Sequence, residues 1–173
     1  MIVVLILGIP VSSLADFNKG FKAFEKKDYK TTFDEWIPLA EQGDIKSQYF
    51  LGMLYTLDTG ILKDYKKSVK WYRKAAERNH APSQFKLAAL YFNGKGVLTD
   101  DIKGIDWLRK AAEQNYAKAQ FSLGGIYTDD TFTKKDLSKA KYWIKKAHEN
   151  PDASARTREL AEESWNKFKL WKY

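Results

Sequence analysis

Few side chains in this sequence are equipped for chemistry. His80 and His148 offer imidazole for proton transfer or metal ligation, Asp100-Asp101 and Asp129-Asp130 offer paired carboxylates, and Gly94-Lys95-Gly96 places a lysine in a flexible loop. Each falls short of a working set. Neither histidine has a carboxylate or a second histidine at ligand spacing, so neither a zinc site nor a histidine-based catalytic group can be assembled. His80 reads as the end of a second helix and His148 stands in a column otherwise held by Ala76 and Ala112; a histidine near a helix C-terminus is favoured by the dipole and the last carbonyls. The aspartate pairs suit turns and helix caps. The Gly94-Lys95-Gly96 loop has neither the spacing nor the Lys-Ser/Thr of a phosphate-binding loop. With no cysteine, a disulfide framework, a thiolate metal site and a cysteine nucleophile are all excluded. The sequence therefore predicts no catalytic residue, no metal and no cofactor.

What this chain does must then be done by the surfaces of its elements, and those elements repeat. At 173 residues, 44% hydrophobic and 30% charged, it has the make-up of a folded domain. Laid on itself with an offset of 36, it aligns Leu51, Leu87 and Leu123, then Tyr55, Tyr91 and Tyr127, then Trp71, Trp107 and Trp143, then Ala75, Ala111 and Ala147, without a gap. Nearly half the positions of 45–80 recur in 81–116. Each unit reads as two helices. In 81–116, Pro82 suits a first helical turn. Gln84, Leu87, Ala88 and Tyr91 form one stripe at helical spacing, Asn93 to Gly96 ends that helix, and Asp100 or Asp101 caps a second one running to Asn115. The small residues Gly52, Ala88 and Gly124 let the paired helix approach closely. One such unit cannot bury its apolar face alone, whereas stacked neighbours can.

The boundaries follow: a divergent first helix pair at 16–44, repeats at 45–80, 81–116 and 117–152, and a capping helix at 153–173. In the first pair, Phe17, Gly20, Phe21 and Phe24 mark one helix, Asp28-Tyr29 a turn, and Phe33, Trp36, Leu39 and Ala40 the second. The motifs LGMLY, LAALY and LGGIY, each followed by a loop, then D…W and KAAE or KAHE, resemble Sel-one-like repeats, relatives of the tetratricopeptide repeats. The segment NGKGVLTDDIKGIDWLRKAAEQN is nearest to that pattern, whereas TDDTFTKKDLSKAKYWIKKAHEN departs from it by lacking both loop glycines. The resemblance covers about residues 17 to 152. It implies an all-α fold, a right-handed α-solenoid of stacked antiparallel helix pairs, and a role in scaffolding protein complexes.

Two surface features are candidates for binding. Tyr49, Phe85 and Phe121 form an aromatic column on the flank of the first helices. By similarity to tetratricopeptide folds these helices line a groove, with Lys46, Met53, Phe92 and Lys118 beside the rings; packing between repeats is the competing use of the aromatics. The second feature is basic. Arg73, Arg109 and Lys145 share one column and Lys74, Lys110 and Lys146 the next, while Lys66, Lys70 and Lys74 make an i, i+4 stripe. With a net charge of +8 and no acidic residues cancelling these columns locally, the field favours a partner with an acidic surface. No nucleic-acid module is present. The aromatic-rich end, with Trp165, Phe168, Trp171 and Tyr173 beside Lys167, Lys169 and Lys172, suits either contact with a membrane surface or a cap packing its Trp and Phe on the last repeat, and the cap is the expectation.

Residues 1–15, MIVVLILGIPVSSLA, carry no charge. The apolar run is too short to span a bilayer as a helix, and Ser13-Leu14-Ala15 sets small residues where a signal peptidase reads. The basic start usual in such leaders is missing. The segment is read as a secretory leader, cleaved before Asp16 or kept as an anchor, so the mature chain is expected in the periplasm or outside the cell and without stable membrane insertion. The function expected from these features is a non-catalytic protein–protein scaffold or adaptor of the cell envelope. An immunity-type inhibitor of a secreted toxic effector, and a protein that binds or hydrolyses cell-wall polymer, are the alternatives.

Overall fold

The computed structural model describes residues 15–58 and 63–173; the segment read as a leader lies, apart from Ala15, outside them. Among the described residues the regular structure is all helical: α1 (Phe17–Glu25), α2 (Tyr29–Glu41), α3 (Ile45–Leu54), α4 (Tyr65–Glu77), α5 (Ala81–Phe92), α6 (Asp101–Glu113), α7 (Ala117–Ile126), α8 (Leu137–Glu149) and α9 (Ala155–Lys167), then one 3-10 turn at Leu170–Lys172. Helices α3, α5 and α7 begin 36 residues apart, as do α4, α6 and α8. Each helix packs mainly on its neighbours in the chain, the arrangement of an α-solenoid of stacked pairs.

The starts and stops of these helices have local causes. Asp28, Asp64, Asp100 and Asp136 form a single column. Each accepts a hydrogen bond from the backbone N–H three residues on, satisfying one of the free donors that open a helix. Of the two aspartates considered for capping α6, Asp100 is the one used. The ends of α2, α4 and α6 are turned by Gly43, Asn79 and Asn115, all at positive φ, the backbone state that glycine and asparagine tolerate best. Between the helices of each repeat, the carbonyls of Tyr55, Tyr91 and Tyr127 accept from the N–H of Asp64, Asp100 and Asp136. The third loop closes the same way without glycine, because Asp129 accepts from the Thr131 N–H at 2.9 Å and Asp130 from the Lys135 N–H at 2.8 Å.

The helix pairs are drawn together at the small residues. A β-carbon on Gly52 would lie 2.6 Å from the Tyr72 ring and one on Gly124 2.6 Å from Ile144, distances that real side chains do not reach. Successive pairs are joined by a polar ladder inside the core. Gln48, Gln84 and Gln120 are buried, and their amides donate to the carbonyls of Ala40, Ala76 and Ala112 at 2.9, 3.0 and 3.3 Å. Those carbonyls lie in the last turn of the preceding second helix, where each also accepts from the N–H of the turn residue Gly43, Asn79 or Asn115 at 3.1 Å. Glutamine in this column therefore secures one repeat to the next. The core continues through Leu51, Leu87 and Leu123, all fully buried.

The first pair is closed by rings. Trp36 is fully buried, stacks on Phe17 with ring centres 5.6 Å apart, and sends its indole N–H to the Phe17 carbonyl at 3.1 Å. At the other end a single helix over 153–173 was the expectation, and the structure divides it. Helix α9 stops at Lys167, Lys169 takes the left-handed conformation, and the chain folds back so that Leu170 is buried against α8. Trp165 and Phe168 pack on the last repeat. Trp171 and Tyr173 remain more than half exposed, because the reversal at Lys169 spends the inward position on Leu170.

Candidate functional site

The aromatic column is used for packing between repeats. Tyr49, half-buried, sets its ring edge-on to His80 at 5.2 Å and against Tyr72 at 5.8 Å. One repeat on, Phe85 meets Tyr116 at 5.6 Å; His80 and Tyr116 share a column, so the contact recurs. Phe121 is half-buried against the C-terminal part of the core. Phe92, expected beside the groove, points instead to α6, where the missing side chain of Gly104 makes room for its ring, and it lies 5.1 Å from Phe132. Lys46 and Lys118 are exposed. Met53 lines a cleft of about 240 Å³ with Tyr65, Tyr72, Lys86 and Ala89, and Lys118 lines a separate one with Tyr116 and Asp152. The predicted groove residues are thus divided between packing positions, two different clefts and, for Lys46, the open surface.

His80 closes α4 through its backbone N–H, which donates to the Ala75 carbonyl at 3.2 Å, and also stands at the start of α5. Its Nδ1 lies 2.8 Å from the Ser83 hydroxyl, and burial holds its pKa below the ordinary histidine value. Protonation is disfavoured in the folded state, the opposite of the effect expected at a helix C-terminus. Because the folded-state pKa is depressed, the unfolded chain binds the proton more readily. The stability tied to neutral His80 is complete above about pH 6.5 and is lost as pH falls through that value toward the folded pKa. In thermal melts between about pH 7 and 5, the wild type should lose more stability than His80→Tyr, which copies the Tyr116 arrangement; parallel curves would refute this.

The basic columns have a different geometry from the ridge of free charge expected. Lys74, Lys110 and Lys146 lie over the rings of Trp71, Trp107 and Trp143 at 4.8, 4.3 and 5.6 Å. Each lysine covers the aromatic one turn before it in a cation–π contact. In the neighbouring column, Arg73 donates to the Tyr91 hydroxyl at 2.9 Å, Arg109 pairs with Asp106 at 3.1 Å and Lys145 with Glu149 at 3.7 Å. The expectation that acidic residues leave these columns uncancelled is therefore corrected for α6 and α8: carboxylates one turn away meet Arg109 and Lys145. On α4 Lys67 pairs with Asp64 at 3.6 Å, while Arg73 and Lys74 of the two columns have no carboxylate partner among the described residues. Lys66, Lys70, Arg73 and Lys74 line one cleft of about 450 Å³, with Val69 in its floor, Gly96 and Val97 of the next repeat's loop as its wall, and Glu77 as the single carboxylate. Just past that wall, Leu98 is 90% and Ile102 75% exposed. The stripe at 66, 70 and 74 is visible in the sequence, but the wall is not, because it comes from a loop some thirty residues away.

Among the described residues no group of three or more His, Asp or Glu side chains is arranged to hold a metal. No helix there is long and apolar enough to cross a membrane.

The sequence model of the Sel1 repeat matches residues 45–80, 81–116 and 117–151. The chain belongs to the Sel1 repeat family. Solved structures agree. A Sel1 repeat protein from Oxalobacter formigenes is 31% identical, with a TM-score of 0.71 over 79% of this chain and 56% of its own. The protective antigen c5321 of uropathogenic Escherichia coli, which displays an SLR fold, is 28% identical, with a TM-score of 0.61 over 83% of this chain and 35% of its own. This Sel1 repeat chain thus spans about half the length of the first and about a third of the second. None of the curated proteins matches it. Sel1 repeats generally mediate protein–protein interaction.

Proposed function

We propose that this Sel1 repeat protein is a non-catalytic scaffold or adaptor of the cell envelope, and that it takes an acidic segment of a protein partner into the cleft on α4. One observation carries this reading: Lys66, Lys70, Arg73 and Lys74 line a single shallow cleft with one carboxylate, Glu77. Opposite charge steers association and fixes register. Exposed Leu98 and Ile102, next in the chain to the cleft wall, add the apolar contact that a charge-only site lacks. The leader read in residues 1–15 supports the envelope as the compartment. The Tyr49, Phe85 and Phe121 rings hold the repeats together, and this favours the outer cleft over the first-helix groove as the docking face.

The test is affinity capture from an envelope fraction with the wild type and with Lys66→Glu/Lys70→Glu/Lys74→Glu, followed by titration of the captured protein. The charge-reversed protein should bind at least about tenfold more weakly, and wild-type binding should weaken as salt rises. A stoichiometric partner held equally by both proteins would remove this cleft from the function.

A further inference from the structure

The first pair holds a carboxylate in an unusual place. Glu35, on the inner side of α2, is 6% exposed. Its two oxygens are spoken for by the very start of the fold: one accepts from the Asp16 backbone N–H at 2.8 Å, the other meets the Lys19 ammonium. The Asp16 side chain turns the other way and caps α1 through the N–H groups of Asn18 and Lys19. The segment is clamped there, since Trp36 beside Glu35 bonds the Phe17 carbonyl and leaves no room for a side chain at Gly20. A buried carboxylate needs compensating positive charge. Lys19 is largely exposed, and an intact peptide bond at Asp16 supplies only a neutral N–H. Directly before Asp16 stand Ser13, Leu14 and Ala15, the small-residue pattern that a signal peptidase reads.

We propose that Asp16 is the amino-terminal residue of the mature chain and that its α-ammonium is held by the Glu35 carboxylate. The inference rests on the export reading above. Hydrolysis of the Ala15–Asp16 bond by a leader peptidase consumes one water. The C–N bond breaks, Ala15 leaves with a carboxylate, and the Asp16 nitrogen becomes an amine that is protonated at neutral pH. The nitrogen that donated one neutral hydrogen bond to Glu35 then carries a charge 2.8 Å from it, and charge-assisted hydrogen bonds are roughly twice as strong as neutral ones. Processing thereby completes the first helix pair. Charged groups facing this nitrogen are Glu35 of α2, which it contacts, Lys19 of α1, which meets the same carboxylate, and the carboxylate of Asp16 itself; Asp34 of α2 acts on Lys19. The acids favour the ammonium and Lys19 opposes it, so the gain is present below the α-amino pKa and is lost as pH rises through it.

Every described helix lies within 16–173, so the test compares a chain beginning at Asp16 with one carrying a single extra glycine in front. The glycine leaves every side chain in place and moves the charge off Glu35. At neutral pH the Asp16 chain should melt about 2–4 °C higher, the shift that a roughly fivefold change in the folding constant gives a domain of this size. The gap should close above about pH 9 and vanish with Glu35→Gln. Equal melting of the two chains at neutral pH overturns the ammonium site even if Glu35→Gln fails to fold. Intact mass of the protein recovered from cells expressing the full chain tests the other half. A start at Asp16 supports the proposal, and any other start overturns it whatever the melting shows.

Discussion

Trp36→Ala should cost about 3–5 kcal/mol, the range for truncating a large buried aromatic, and this is a large part of the ~5–15 kcal/mol that holds a domain folded. The ring is fully buried and touches every part of the first pair: Phe17 at 5.6 Å, Phe24 at 5.9 Å and Phe50 of the next repeat at 5.4 Å. Its indole N–H also satisfies the Phe17 carbonyl. Alanine leaves a cavity among α1, α2 and α3 and removes the indole bond to the Phe17 carbonyl. Because contacts run mainly between neighbours in the chain, the damage should stay local at first. Urea unfolding followed by circular dichroism, together with limited proteolysis, should show cleavage within α1 and α2 while α5 to α8 are still helical. A loss below about 1 kcal/mol would mean that the first pair is not held by this ring.

Gly96→Ala should cost about 2–4 kcal/mol, from an unfavourable left-handed backbone plus overpacking, and it should weaken partner binding as well. Gly96 has φ of +74°, and a β-carbon there would overlap the carbonyl of Tyr65 and lie 2.8 Å from the Lys66 nitrogen. Those are backbone atoms at the start of α4 and cannot swing aside as a side chain would. The loop must retreat, and with it the wall of the basic cleft. Gly94→Ala is the control. Its φ is also positive, but the atom in the way is the Thr99 hydroxyl oxygen, which can rotate, and position 94 does not line the cleft. Thermal melts and partner titration on both variants should place Gly96→Ala well below Gly94→Ala in both stability and affinity. Equal behaviour would mean that the wall does not shape the site.

Much of the fold is written in residue types that act over a few positions. The aspartate that opens each second helix, the Gly43–Asn79–Asn115 column that closes three of them, and Gly52 and Gly124 at the helix crossings do their work through capping, backbone freedom and the absence of a β-carbon, all properties of the residue itself. Recurrence at an interval of 36 turns those local signals into an architecture, because a unit that cannot cover its own apolar face must stack. Even the glycine-free third loop was legible in kind, since Asp129 and Asp130 are turn formers.

Direction and partnership were not legible. Sequence periodicity placed Tyr49 and Phe85 on a helix flank, but only the stacking of repeats put His80 and Tyr116 against them and made them packing residues. It listed Gln84 in an apolar stripe without a role, because the carbonyl it serves belongs to the helix before. It read Arg109 and Lys145 as free, although Asp106 and Glu149, one turn away on the same helices, meet them. Helix caps, small residues and a 36-residue period are local or periodic properties, and they suffice to read this chain as a stack of helix pairs with a basic surface. Which cationic side chains share a cleft with the loop of the next repeat, and that Glu35 lies against the nitrogen of Asp16, depend on residues distant in the chain meeting across packed helices, so only the packing shows them.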